Sequence, residues 1–273
     1  MTDEDLGRFT DHWTQRYIHD ELNDFQEKSA RFIYLFRRLC AAVDRIMDEV
    51  SEELKSSDFE PLAFELAFGA DGQLPAITIR EKNGTARVVG KVDRVDGWLH
   101  NGKLYLRVVD YKTGKKSFDL AELRYGLGLQ MLLYLFTLKE EGRALFGGQG
   151  KFAVCAGRLL RCARDTAPEK IEKARKKELR RSGMVLEDPA VLQAMEHSAL
   201  ESPCYLPIAV KRDGAVTGSL ASAEQLGKLS KYVDLLLHEI TQEVFAGNID
   251  ADPYARTPQQ SACTYCEFAS ACH

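Results

Sequence analysis

The sequence predicts an α/β domain in which an antiparallel meander of short strands is flanked by helices. Three observations carry that reading. Two long stretches, 24–55 and 222–246, repeat their apolar residues with the helical period of about 3.6. Four runs, 62–68, 76–81, 87–97 and 103–111, have the composition and alternation of strands and are set apart by turn signals such as Asp71-Gly72, Asn83-Gly84 and Asn101-Gly102. The chain of 273 residues is long enough to bury a substantial core, and no internal repeat or low-complexity tract interrupts it.

Taken in order, the first long helix places Phe32, Leu35, Phe36, Leu39, Val43, Ile46 and Val50 on one face, with an ordinary polar face opposite. The strands follow. A second helix is expected over 119–141, then a buried strand over 151–157 and a charged helical segment over 168–181. The last helix carries Leu226, Leu229, Val233, Leu236, Leu237, Ile240 and Val244. Gly247 is its expected stop, because glycine takes the left-handed C-cap conformation without a Cβ penalty.

The hairpin over 87–111 holds the chemistry. Asn-Gly between two alternating runs is the strongest short-range signal for a two-residue turn. If Asn101 and Gly102 form that turn, His100 faces Lys103, Asp96 faces Arg107 and Asp93 faces Asp110. The two carboxylates then have Cβ atoms roughly 4.5–5.5 Å apart. Side chains alternate along a strand, so Asp93, Val95, Leu99, Leu104, Leu106, Val108, Asp110 and Lys112 share a face, while Tyr111 points the other way. Like charges this close are costly unless a cation or proton intervenes. Two acids and a lysine at the end of an apolar floor suit a divalent cation and metal-assisted phosphodiester hydrolysis. Acids and bases facing each other across a hairpin are more often solvated ion pairs, and Asp96 with Arg107 on the opposite face is read as one.

In the helix after the hairpin, Gln130 and Tyr134 are polar exceptions among Leu127, Leu129, Met131, Leu132, Leu133, Leu135 and Phe136. Four residues apart, they share a face. They are either a hydrogen-bonded pair in the core or the lining of a cleft above the acids. Gly126 and Gly128 weaken the start of this helix and allow close backbone approach. Between Arg161 and Arg181 lysine and arginine outnumber the acids, either as a solvated helix face or as a phosphate-contacting surface that includes Lys176, Lys177 and Arg180.

The formal net charge of -4 and a hydrophobic content of 45% describe an ordinary globular chain and neither announce nor exclude a nucleic-acid partner. No apolar run approaches the ~18 residues of a membrane span, and no secretory pattern opens the chain. A cytoplasmic location is expected. Seven cysteines without a secretory signal argue against a disulfide framework. Cys40, Cys155, Cys162 and Cys204 are scattered, whereas Cys263, Cys266 and Cys272 crowd the end as C-x2-C-x5-C. Three such thiolates suit zinc or an iron-sulfur site.

The order Glu65, Gly90-Lys91-Val92-Asp93-Arg94-Val95-Asp96, Asp110-Tyr111-Lys112-Thr113-Gly114 and Gln130-x3-Tyr134 resembles the RecB-type branch of the PD-(D/E)XK nucleases. Within it, the chain looks most like AddB-type nuclease domains, over nearly its whole length. The resemblance implies a restriction-endonuclease-like core with a central mixed sheet. It also implies a DNA exonuclease using Mg2+ or Mn2+, which trims the strand ending 5' at double-strand breaks beside an AddA-type subunit. Asp93, Asp110 and the Tyr111 carbonyl would be metal ligands, and Lys112 the catalytic lysine. Gln130 and Tyr134 would face substrate, and Glu65 would be auxiliary.

For the terminal cysteines the same resemblance implies a 4Fe-4S cluster completed by a cysteine ahead of the domain, four thiolates being the usual requirement. Here no cysteine precedes Cys40, which falls inside a helical run. The family's early metal-binding histidine is also unmatched, since His12 and His19 lie too close to Glu65 in sequence. An excised fragment of a longer subunit, its cluster incomplete or absent, is therefore expected. It would comprise a helical segment over 1–58, a nuclease core over 59–247 with a basic helical insertion at about 161–200, and a cysteine tail over 248–273. No helicase motif is present, so translocation falls to other parts of the complex. The alternative function is a non-catalytic DNA-binding or subunit-docking module that keeps the nuclease fold.

Overall fold

The computed structural model describes residues 3–111, 118–146, 149–150, 181–250, 252–257 and 260–271. Helices α1 (Asp3–Leu22) and α2 (Ala30–Lys55) form an N-terminal hairpin. The helix expected from residue 24 begins instead at Ala30. Asn23, Asp24 and Phe25 all take positive φ in a short turn, and Ser29 caps α2 by accepting a hydrogen bond from the Phe32 amide. Tyr17 stacks on Phe36 with ring centroids 6.1 Å apart, which closes the hairpin. Its outer face leaves Phe9, Trp13, Tyr34 and Leu39 exposed.

The central sheet contains β1 (Glu60–Phe68), β4 (Gly90–His100), β5 (Lys103–Val109) and β6 (Gln149–Gly150) in the order β1-β4-β5-β6. β6 runs parallel to β5 while the other pairs are antiparallel, so the sheet is mixed. A sequential meander is not what forms. β2 (Ile77–Glu81) and β3 (Gly84–Val88) pair with each other as a separate hairpin, and β4 returns to β1. That side hairpin is drawn toward helix α5 (Ala223–Ala246), where His238 Nδ1 lies 2.6 Å from Glu81 Oε1 and Gln242 Nε2 donates to Glu81 Oε2 at 3.1 Å.

The helix expected over 119–141 is split. Leu120–Tyr125 is a 3-10 helix closed by Gly126 at φ +72°, and Gly128 is left-handed too, so α3 starts only at Gln130 and runs to Phe146. The two glycines are there because an L side chain would be strained at both positions. Beyond Arg181 come β7 (Val185–Leu186), α4 (Pro189–Met195), β8 (Ile208–Val210), β9 (Val216–Gly218) and β10 (Leu220–Ala221). α5 opens with a reciprocal Ser222–Gln225 capping box and stops at Gly247, φ +74°, as its sequence predicts. Two short strands, β11 (Ala255–Thr257) and β12 (Gln260–Ser261), lead into the terminal segment.

The core joins Leu66, Phe68, Val92, Val95, Leu106 and Val108 of the sheet to Met131, Leu135 and Leu138 of α3 and to Val185, Val191, Leu192 and Met195. Each such side chain contributes about 1.5–3 kcal/mol by leaving water. A smaller cluster of Leu132, Val233 and Leu236 holds α3 to α5. Close packing dictates Gly90, where a Cβ would come 2.7 Å from the Phe68 ring and 3.2 Å from that of Tyr134. Among the described residues, no helix is long and apolar enough to cross a membrane. The strand expected over 151–157 and all but the last residue of the charged segment expected over 168–181 lie outside the described residues.

Candidate metal centre

The turn at Asn101-Gly102 forms as the sequence predicts, with φ of +50° and +71°. Both central residues left-handed is the requirement of a type I′ hairpin turn. The register that follows pairs His100 with Lys103, Asp96 with Arg107 and Arg94 with Val109. One step further along stand Asp93 and Asp110, the latter just past the end of β5. Asp93 is fastened to the segment that carries Asp110: the Tyr111 amide donates to Asp93 Oδ2 at 2.6 Å. Asp110 is 3% exposed, and Asp93 is half-buried. The apolar floor is present in Val95, Leu104, Leu106 and Val108, but Leu99 near the tip is exposed to solvent rather than part of it. Lys112 lies outside the described residues.

Glu65 comes to the same place from β1. Phe64 pairs with Arg94 and Leu66 with Val92, which sets Glu65 opposite Asp93. Its backbone is left-handed, φ +51°, in the middle of a strand. Such a conformation costs about 1–3 kcal/mol in a residue other than glycine and persists only where neighbours impose it. The Glu65 carboxylate is ion-paired with Lys91. That hydrogen bond and charge, with a smaller contribution from Asp93, raise the Lys91 amine above the usual lysine range. Thus Glu65 on β1 stands level with Asp93 on β4, its charge met by Lys91.

Asp96 and Arg107 overturn the expectation of a solvated pair. They are 0% and 1% exposed, and with Arg94, Glu53 of α2 and Arg181 they form a buried ionic network beneath the sheet. Arg107 Nε donates to Asp96 Oδ2 at 2.7 Å, and Arg94 Nη2 to the same oxygen at 3.1 Å. Arg181 grips the Glu53 carboxylate, and Arg107 and Arg94 approach it at 3.6 and 3.8 Å. Burial by itself would raise the Glu53 carboxyl, but Arg181, Arg107 and Arg94 together hold it below the ordinary glutamate range. The polar face of the hairpin is covered because the end of α2 and the segment after Arg181 close over it. Sequence reasoning assigned no role to Glu53 or Arg94 and counted Arg181 only as the end of a basic run, a solvated helix face or a phosphate-contacting surface, whereas it is buried against Glu53.

Gln130 and Tyr134 pair with each other. Gln130 Nε2 donates to the Tyr134 hydroxyl at 2.7 Å, with Gln130 exposed and Tyr134 5% exposed, edge-on to Phe68. A cleft of about 550 Å³ between β2, α3 and α5, lined among others by Thr137, Glu141, Lys231 and Asp234, contains none of the predicted site residues. His19 lies 3.1 Å from Asp24 on the N-terminal hairpin, and His12 packs edge-on to Trp13. In the terminal segment Cys263 and Cys266 share one short turn, the Cys266 amide donating to the Cys263 carbonyl at 3.2 Å. Cys40 sits on α2, and both described tail thiols are free. Cys272, Lys176, Lys177 and Arg180 lie outside the described residues.

The donor chemistry at the hairpin suits a hard cation. Two adjacent carboxylates offer only oxygen, and Mg2+ is typically held by one or two carboxylates while keeping several of its waters. Among the described residues no group of three or more His, Cys, Asp or Glu side chains is gathered for a metal. For an iron-sulfur cluster the described residues bring together two thiols, fewer than the usual four.

Comparison with known proteins agrees with this geometry. The chain is 32% identical over 270 residues to the AddB-type ATP-dependent helicase/deoxyribonuclease subunit of Clostridium botulinum (strain Loch Maree / Type A3), a match covering 94% of this chain and 24% of that protein. It is 34% identical over 277 residues to the corresponding protein of Acetivibrio thermocellus, covering 95% and 24%. Against that of Ruminiclostridium cellulolyticum it is 33% identical over 268 residues, covering 93% and 23%. The chain thus spans about a quarter of the length of these relatives. The family model of the PD-(D/E)XK nuclease superfamily matches residues 3–273, and the chain belongs to that superfamily.

Proposed function

We propose that this nuclease domain is the DNA-cleaving module of an AddAB-type helicase-nuclease, working in the cytoplasm as a Mg2+- or Mn2+-dependent exonuclease on double-strand-break ends beside an AddA-type subunit. The observation that carries the reading is the Tyr111 amide's hydrogen bond to the Asp93 carboxylate, one step past the last Arg94–Val109 pair, at the strand end that bears Asp110. The relatives' description as helicase/deoxyribonuclease subunits supports DNA as the substrate.

Asp93 and Asp110, with the Tyr111 main-chain carbonyl, would hold the cation. Once bound, a divalent cation supplies Lewis acidity at a phosphoryl oxygen and lowers the pKa of a water. The protein's own part is positional. The Tyr111 amide orients Asp93, and the apolar floor of Val95, Leu106 and Val108 fixes the acids at its rim. Two residues past Asp110, Lys112 would contact the reacting phosphate, as the family pattern implies. Glu65 would serve as an auxiliary acid restrained by Lys91, and Gln130 and Tyr134 would face the substrate as a pre-formed pair. Lys176, Lys177 and Arg180 would contact the DNA backbone.

Calorimetric titration with Mn2+ tests the site. The wild type is expected to bind, and Asp93→Asn and Asp110→Asn are each expected to weaken binding by more than the ~10–100-fold that loss of an outer-sphere partner costs. Equal affinity in all three proteins would remove the acids from the site. For the tail, Cys263, Cys266 and Cys272 would supply three thiolates of a 4Fe-4S cluster. The aerobically purified chain is expected to be colourless and to lack iron and labile sulfide. Stoichiometric iron and sulfide would show that a fourth ligand is found within the 273 residues.

A further inference from the structure

Resting on that metal-site reading, we infer that Arg94 is a positioning residue for the acids, acting through Tyr111 from the opposite face of the sheet. The backbone pairing of the hairpin ends at Arg94 and Val109, so Asp110 and Tyr111 stand beyond the last β4–β5 rung. Tyr111 is held from both faces. On the acid face its amide donates to Asp93 Oδ2 at 2.6 Å. On the other, its hydroxyl accepts from Arg94 Nη1 at 2.8 Å, with the guanidinium carbon 5.8 Å from the ring centroid.

The far end of this lever is fixed. Arg94 is 1% exposed; its Nη2 donates to Asp96 Oδ2 at 3.1 Å while its Nη1 reaches the tyrosine, and its Nε lies 2.9 Å from Asp96 Oδ1 as an ion pair without a hydrogen bond, an arrangement that uses the planar spread of a guanidinium. Asp96 is held in turn by Arg107, and Glu53 joins Arg94 and Arg107 to α2 and Arg181. The path from rigid network to site therefore runs Asp96, Arg94, Tyr111 side chain, Tyr111 amide, Asp93. Partners one shell away from a metal orient its ligands in this manner, and their loss typically costs about 10–100-fold in affinity or activity.

Tyr111→Phe isolates the effect, because it deletes one hydroxyl and keeps the ring, the amide and the carbonyl. Measured by calorimetry, its Mn2+ affinity is expected to fall roughly tenfold or more, with slow-exchange protection of the residue 111 amide reduced in the metal-free protein. Arg94→Lys is expected to share both losses, since one ammonium cannot reproduce two guanidinium nitrogens that reach Asp96 and the hydroxyl separately. Raising Mn2+ should restore the cleavage rate of Tyr111→Phe but not that of Asp110→Asn. If the wild type binds Mn2+ and Asp110→Asn does not, yet Tyr111→Phe matches wild type in affinity and amide protection, the inference is overturned and the metal site stands. Absence of Mn2+ binding by the wild type overturns both.

Discussion

Replacing Asp110 by alanine is expected to abolish metal-dependent DNA cleavage while the domain remains folded. A bound cation stabilises several kcal/mol of transition-state charge, and every ~1.4 kcal/mol is tenfold in rate, so the loss should reach ~10³-fold or more. The position makes the test clean in one respect and demanding in another. Asp110 lies past the last residue of β5, so its side chain can be removed without breaking the sheet register. It is also 3% exposed, so truncation leaves a small void, and Asp110→Asn should accompany it as the isosteric variant. Lys112→Ala is expected to lose cleavage to a similar degree while retaining Mn2+ binding, which separates the lysine's contact with phosphate from the acids' grip on the cation. Undiminished cleavage by purified Asp110→Ala, with circular dichroism matching the wild type, would sink the assignment of this hairpin as the active site.

The hairpin was legible because its determinants are local. Asn101 and Gly102 demand a left-handed pair, alternation then sets every facing residue, and a slip of one position would turn the apolar floor outward. The bounds of α5 were readable on similar grounds, Gly247 closing the helix by itself, whereas the Ser29 cap that starts α2 was missed. Pairing of β4 with β1 was not, since the hairpin of β2 and β3 intervenes and its diversion depends on Glu81 meeting His238 and Gln242 far along the chain. Glu53 looked like one more polar residue on an amphipathic helix. Its burial depends on Arg181, 128 positions away, and no local period announces a contact at that range. The one available hint was the reverse face of the hairpin, where Arg94, Asp96, Arg107 and Tyr111 alternate against the floor. Read alone, such a face belongs to solvent; only the packing of α2 shows that it is interior.

That network carries the largest stability effect expected in the molecule. Three guanidiniums and two carboxylates are buried together, so removing Glu53 takes from Arg94, Arg107 and Arg181 the carboxylate they share. Breaking a buried pair from one side costs about 3–5 kcal/mol, because the charge left behind has lost its partner and cannot regain water. Glu53→Ala is therefore expected to lower the melting temperature by roughly 6–20 °C in a chain of this size. The pH dependence has a definite sign. The folded-state pKa of Glu53 is depressed, so its contribution is fully present above the ordinary glutamate value of 4.5 and is lost as pH falls through the lower, folded value. Melting curves of the wild type should consequently steepen in their decline below about pH 4.5, whereas Glu53→Gln should start lower and lack that part of the acid limb. A melting temperature of Glu53→Ala within about 2 °C of wild type, roughly what 1 kcal/mol produces here, would mean that water reaches the cluster and that its charges do not depend on one another.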